Sequence, residues 1–381
     1  MYKLMTPGPT QVAENVRMAR SLPCTNPDLD ETFVSFYQET CELISRLLCT
    51  EDETLILDGE GILGLEAACA SLTEPGDKVL VLDNGVYGRG FADFVTMYGG
   101  KPEILHSDEL EAFSIEALAA HLEKNSDYAY ATLVHCDTPS GVLNDIHALC
   151  PLLKQYGILT IVDSVSSMFG EEVQAGAAGI DILCGASQKA VSAPPGLSFV
   201  TVSADAKRKI KNRRTPIASF YANLSIFEEY ACQKWFPYTM PISDIYGLRA
   251  ALDDIATDKE RLDRHAKIAG ATREALTDAG LRLHLKSGYS NTVSVFDVPP
   301  QTTADAILSA MRQGHGILLS GSFGALAGKV IRIGHMGTNA NLADMTATMC
   351  ALSDVLTSLG VPLTGDLGVL FLSHLRSFPR A

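Results

Sequence analysis

Nine cysteines are present, an odd number, and none stands in a Cys-x-x-Cys pair. Neither a disulfide framework nor a structural zinc site is therefore suggested. No run of 18 apolar residues occurs, and the start, Met1-Tyr2-Lys3-Leu4-Met5, lacks the apolar stretch of a secretory leader. A soluble, cytoplasmic chain without a membrane partner is expected. Positive charge is in deficit as well. The 30 Lys and Arg face 45 Asp and Glu, for a formal net charge of −15, which speaks against nucleic acid or an anionic bilayer as partner. Repeats, low-complexity tracts and polar linkers are also missing. Cys69, Cys136 and Cys184 lie in apolar runs and read as small buried hydrophobes.

The 381 residues suffice for two domains. From about 52 to 202, β-rich runs at 54–57, 78–82, 129–135, 160–163, 182–184 and 198–202 alternate with amphipathic stretches such as 63–72 and 146–156. That alternation predicts an α/β domain built of βαβ units around a mostly parallel sheet. After Ala251, helical patterns give way to apolar runs at 292–296, 317–319 and 330–333, expected strands of a smaller C-terminal α+β domain. Pro7 and Pro9 predict that the first 20 residues run extended across the body. The expected division is therefore 1–20, 21–255 and 256–381, with the second boundary inside one long helix.

Gly59-Glu60-Gly61-Ile62-Leu63-Gly64 is a literal G-x-G-x-x-G between an apolar run and a helical pattern, and Asp83 ends a later strand. An NAD-dependent oxidoreductase would carry such a fingerprint. Against it, a helical pattern at 34–48 precedes the unit, a carboxylate between the first two glycines would face the pyrophosphate, and Asp163 and Lys189 find no purpose.

Those two residues carry a different chemistry. Ile161-Val162-Asp163-Ser164 places an aspartate at a strand end, and Ser187-Gln188-Lys189 places a lysine on the next loop. A lysine amine condenses with an aldehyde cofactor, and a buried carboxylate keeps a pyridine nitrogen protonated so that the ring accepts electrons. Arg332, alone on the apolar run 330–333, is expected to have an anionic partner, because a buried unpaired charge is costly.

Lys189 with Ala193-Pro194-Pro195-Gly196-Leu197-Ser198, Thr6-Pro7-Gly8-Pro9 and Arg332-Ile333-Gly334 together resemble the class V aminotransferases of fold type I, over nearly the whole chain. The resemblance implies a seven-stranded-type, mostly parallel sheet in the large domain and a pyridoxal 5′-phosphate cofactor. It implies roles as well. Lys189 forms the imine and shuttles a proton, Asp163 pairs with the pyridine nitrogen, and Tyr87 stacks on the ring. Thr138 assists its phenolic oxygen, and Arg332 grips the substrate carboxylate. The turn Gly59-Glu60-Gly61 with Gln188 makes the phosphate cup, which Phe236 and Thr239 complete from a neighbouring subunit. A homodimer or a dimer of dimers is implied, acting on a small-molecule amino donor and a 2-oxo acid.

Within that family the strings around Glu60, Tyr87, Thr138 and Arg332 look most like the pyridoxamine–pyruvate type, which takes unphosphorylated pyridoxamine or pyridoxal as co-substrate. Glu60 agrees, since a carboxylate in a phosphate cup repels the dianion, and Phe236 replaces a hydroxylated ring. The alternative is that Glu60 turns outward or pairs with Arg89, in an enzyme of alanine–glyoxylate, serine–pyruvate or 2-aminoethylphosphonate–pyruvate type that retains its phosphate. Two features depart from the pattern. Gln188 stands where the pyridoxamine enzyme has another amide residue, and Leu319-Ser320-Gly321-Ser322-Phe323-Gly324 lacks an expected second arginine. That same loop has no cysteine through Gly328, which disfavours a cysteine desulfurase.

Overall fold

A computed structural model describes residues 2–377, the side chain of Ala231 excepted. Met1 and 378–381, the outermost ends of the expected first and last segments, lie outside the described residues. The body is a seven-stranded sheet of β1 (Glu53–Asp58), β2 (Lys78–Asp83), β3 (Lys101–His106), β4 (Tyr130–Val134), β5 (Leu159–Asp163), β6 (Ile182–Ala186) and β7 (Leu197–Val202). Their spatial order is β1-β7-β6-β5-β4-β2-β3. Only β7 runs antiparallel to its neighbours, β1 and β6. Every residue of β4, β6 and β7 is buried, as expected of strands covered on both faces. β3 at the edge has no fully buried residue and escaped the sequence reading, because its Lys-Pro-Glu-Ile-Leu-His string carries too little apolar signal.

Helix α1 (Gly61–Leu72) follows β1, and α2 (Val86–Met97) follows β2. A Cβ at Gly64 would stand 3.2 Å from Ser198 Cβ and 3.3 Å from a Val200 methyl, so this glycine lets α1 lie close on the sheet. The parallel strands all point their carboxyl ends at one edge, where Asp83 and Asp163 are their last residues. That edge is where open α/β sheets bind ligands.

Two large hydrophobic cores are built, beside a small cluster of Cys136, Val293, Val295 and Val330. One draws on residues from Val16 to Ile255, and the other combines Met5 with residues from Ile268 to Phe371. The C-terminal strands Val293–Asp297 and Val330–Gly334 pair antiparallel. Two expectations are corrected here. The single long helix at 255 is two helices, Ile242–Thr257 and Arg261–Asp278, broken at Asp258. The N-terminal segment is not extended throughout, since Glu14–Ala19 is helical. Its first residues do run extended, with Lys3–Leu4 pairing parallel to Ile317–Leu318. Among the described residues no helix is long and apolar enough to cross a membrane.

Candidate active site

At the carboxyl edge a cavity of about 300 Å³ is lined by Glu60, Tyr87, Thr138, Asp163, Gln188 and Lys189, with Gly61 beside them. Seven sequence candidates that lie up to 129 residues apart (Glu60 to Lys189) thus meet in one place. Larger hollows elsewhere collect none of them.

Lys189 sits on the loop after β6. Its Nζ donates to Pro7 O at 2.7 Å, while its own carbonyl accepts from Thr10 Oγ1 at 3.1 Å and from Ser192 N at 2.9 Å. Burial, and then the positive charge of Arg332, lowers its amine to about 8. A neutral nucleophile is therefore populated close to physiological pH. Asp163 ends β5 and is 4 % exposed. Val165 N donates to its Oδ1 at 2.9 Å, yet burial dominates and raises the carboxyl to about 7, with the charge of Asp137 adding to the rise. A cationic partner such as a pyridinium would restore its charge.

Tyr87 lies in the first turn of α2, edge-on to Phe323 at 6.3 Å between ring centroids. Arg332 lies on the strand Val330–Gly334, held by Gly321 O at 2.6 Å from Nε and by Thr138 O at 3.2 Å from Nη1. Its guanidinium covers the Phe323 ring at 5.9 Å. Two carbonyls thus orient the fork, and among the described residues no carboxylate bridges it, the charge of Asp137 acting from a distance. Such a group is suited to gripping a carboxylate.

Glu60 is solvent-exposed at the rim of the cavity and does not pair with Arg89, which stands 3.5 Å from Asp83 instead. It is the N-cap of α1: Oε1 accepts from Ile62 N at 3.1 Å, and Oε2 accepts from Gln188 Nε2 at 3.2 Å. The chain thereby places its own carboxylate where a helix N-terminus attracts anions. Gly61 is crowded by Val165 and Ala186, which a Cβ would meet at 2.9 and 3.1 Å. Gly59 faces Leu63 and is not part of the lining, a correction to its expected role.

Phe236 is also corrected. It is 1 % exposed and packs among Phe33, Tyr37 and Tyr230 of its own chain, so it fills a core and reaches no cup. Thr239 is exposed and lies outside the cavity. The dinucleotide reading fails on topology. Four strands separate β1 from β2, so Asp83 is about 24 Å across the sheet from the glycine turn at ~4.8 Å per strand. Asp83 is occupied instead by His106 at 2.8 Å.

Sequence reasoning missed several lining residues, among them Gly8, Pro9, Cys136 and Ser166. The prolines at 7 and 9 announced an extended segment but not where it would cross. Ser166 Oγ and Gln188 Oε1 are buried with no hydrogen-bond partner among the described residues, and both residues line the cavity. Orphaned polar atoms beside a lysine, an aspartate and an aromatic ring fit a polar heteroaromatic group of pyridoxal type.

Known proteins agree with this geometry. Residues 17–321 match the family model described as Aminotransferase class-V. The pyridoxamine–pyruvate transaminase of Mesorhizobium japonicum is 33% identical over 349 residues, 90% of this chain and 88% of that protein. The alanine–glyoxylate aminotransferase of Callithrix jacchus is 30% identical over 362 residues, 93% of this chain and 87% of that protein. The ureidoglycine–glyoxylate aminotransferase of Bacillus subtilis superposes with a TM-score of 0.95 at 27% identity, covering 99% of this chain and 98% of the other. The chain belongs to the class V aminotransferases, pyridoxal-phosphate-dependent enzymes of fold type I, and is itself an aminotransferase.

Proposed function

We propose that this aminotransferase moves an amino group between unphosphorylated pyridoxamine and a small 2-oxo acid such as pyruvate. The observation that carries the reading is Glu60 capping α1, Oε1 to Ile62 N at 3.1 Å. An amide that a phosphate would take is already bonded to a carboxylate, whose charge repels a dianion. The likeness to the pyridoxamine–pyruvate enzyme supports the same choice.

When bound, the pyridine ring supplies an electron sink. The chain's residues do the rest. Asp163 would stand as the anionic partner that keeps the pyridine nitrogen protonated, Tyr87 would pack against the ring, and Thr138 would bond the phenolic oxygen or help place the pyridine. Lys189, neutral near pH 8, takes the proton from one carbon and returns it to another. Arg332 grips the carboxylate of the oxo acid, and the Phe323 ring beneath it stands in the loop where a second arginine was expected.

Domains dividing near residue 255 belong to this reading, as do a cytoplasmic location and a homodimer or dimer of dimers. Phe220, Tyr221 and Trp235 are 59 %, 51 % and 59 % exposed around the Thr239 segment, an apolar face suited to a second copy. Light scattering should then report at least a dimer, and a fully active monomer would overturn that part.

Absorbance of the purified, dialysed protein tests the substrate reading. The protein should emerge colourless and should form pyridoxal from pyridoxamine and pyruvate. A retained chromophore released as pyridoxal phosphate would support the alternative, a phosphate-retaining enzyme of alanine–glyoxylate type, to which the 30% identical relative points.

A further inference from the structure

The Glu60 carboxylate accepts hydrogen bonds and cannot donate. Only the NH2 half of the Gln188 amide can therefore face it, and Nε2 does so at 3.2 Å. The other half is committed by the same contact. Gln188 Oε1 is buried without a hydrogen-bond partner among the described residues, on a side chain 7 % exposed that lines the cavity. The backbone cannot swing to relieve it, because Thr10 N donates to Gln188 O at 3.1 Å and Thr10 Oγ1 to Lys189 O. Ser166 Oγ is a second buried, unpartnered atom on this cavity. An unmet acceptor in such a place is costly until a ligand supplies a donor.

We propose that Gln188 Oε1 is a specificity-determining acceptor for a hydroxyl donor on the ligand, the 5′-hydroxymethyl group of pyridoxamine or pyridoxal, and that Glu60 sets it by orienting the amide. This rests on the reading that the unphosphorylated form is the substrate. A phosphate dianion brings acceptors only, so it would meet an amide carbonyl where it needs N–H. Rotating the amide to serve phosphate would turn Oε1 against the Glu60 carboxylate. Discrimination therefore has two parts, the charge of Glu60 and the amide it holds, and they act as one unit.

Equilibrium dialysis of the full chain against pyridoxal and against pyridoxal phosphate tests this in four proteins: wild type, Gln188→Ala, Glu60→Ser and the double variant. With Glu60 present, Gln188→Ala should weaken pyridoxal about tenfold and scarcely move the phosphorylated form. In the Glu60→Ser background the freed amide donates, so the same change should weaken pyridoxal phosphate about tenfold and spare pyridoxal. Gln188→Met, close in size and without the amide, should repeat both results if Gln188→Ala folds poorly. Equal losses for both ligands in both backgrounds would overturn the proposal, while a wild-type preference for pyridoxal would leave the substrate reading standing. A wild type that prefers pyridoxal phosphate and loses that affinity in Gln188→Ala would overturn both.

Discussion

The Asp137 carboxylate accepts from the main-chain N–H of Tyr87 at 2.9 Å, tying the aromatic wall of the cavity to the loop that carries Thr138. Ser140 Oγ donates to the same group at 2.9 Å, and the residue is fully buried. The approach is so close that a Cβ at Gly85 would stand 2.4 Å from Asp137 Cγ. Burial raises this carboxyl, and the N–H of Tyr87 and the Ser140 hydroxyl draw it back.

Asp137→Ala should strip the first turn of α2 of its acceptor and lower stability by about 1–3 kcal/mol. It should also weaken pyridoxal binding, because the Tyr87 ring loses its anchor. Denaturant unfolding together with pyridoxal titration checks both effects, and unchanged affinity would separate Asp137 from the placement of Tyr87.

Lys189 predicts a pH dependence. Its amine is lowered to about 8 from an ordinary 10.5, so the rate at which pyridoxal couples to the protein should rise with pH and level off above about 8. A rate that kept climbing toward 10.5 would contradict a desolvated lysine. Between these values the unfolded chain binds the extra proton, so this residue makes stability rise with pH across the window and exerts its full penalty below it. Lys189→Ala should remove that slope, leave the fold intact and abolish amino transfer.

Asp163 has the opposite sign. Its folded value of about 7 lies above the ordinary 3.8, so the folded chain holds the extra proton and this residue makes stability fall as pH rises through that interval. Asp163→Asn should flatten the fall in unfolding experiments from pH 4 to 7, and should slow amino transfer because the pyridine nitrogen loses its anion. An unaltered stability profile would place the carboxyl in a better-solvated site.

Gly8 has φ +102°, and a Cβ there would stand 2.4–2.8 Å from Cδ, Cε and Nζ of Lys189. Gly8→Ala should cost about 1–3 kcal/mol in backbone strain. It should also slow pyridoxal coupling by about a hundredfold through displacement of the amine. Coupling at the parent rate would show that the N-terminal segment does not position Lys189.

Arg332→Lys keeps the charge and loses the fork that Gly321 O and Thr138 O orient. Affinity for the oxo acid should fall, and Arg332→Ala should cost about 2–5 kcal/mol of it. Steady-state kinetics with pyruvate varied against fixed pyridoxamine report the loss. An unchanged KM in both variants would put the carboxylate elsewhere.

Much of this was legible along the chain. Strand runs bounded by turns located six of the seven central strands, Asp163, Lys189 and Arg332 stood in strings whose chemistry singled them out, and Tyr87 and Thr138 were reached through the family resemblance. Local pattern is enough there because a strand end or a loop presents its side chain wherever the strand is packed. Strand order was not legible, and it placed Asp83 far from Gly59, which completed the case against the dinucleotide reading. Phe236 shows the same limit, since its residue type suits a cup or a core, and only the surrounding rings placed it in the core. The orientation of Glu60, the crossing of Gly8 over Lys189 and the bond between Asp137 and Tyr87 join residues 50 or more positions apart. Such contacts are decided by how layers pack, a property of the whole chain that no window of sequence contains.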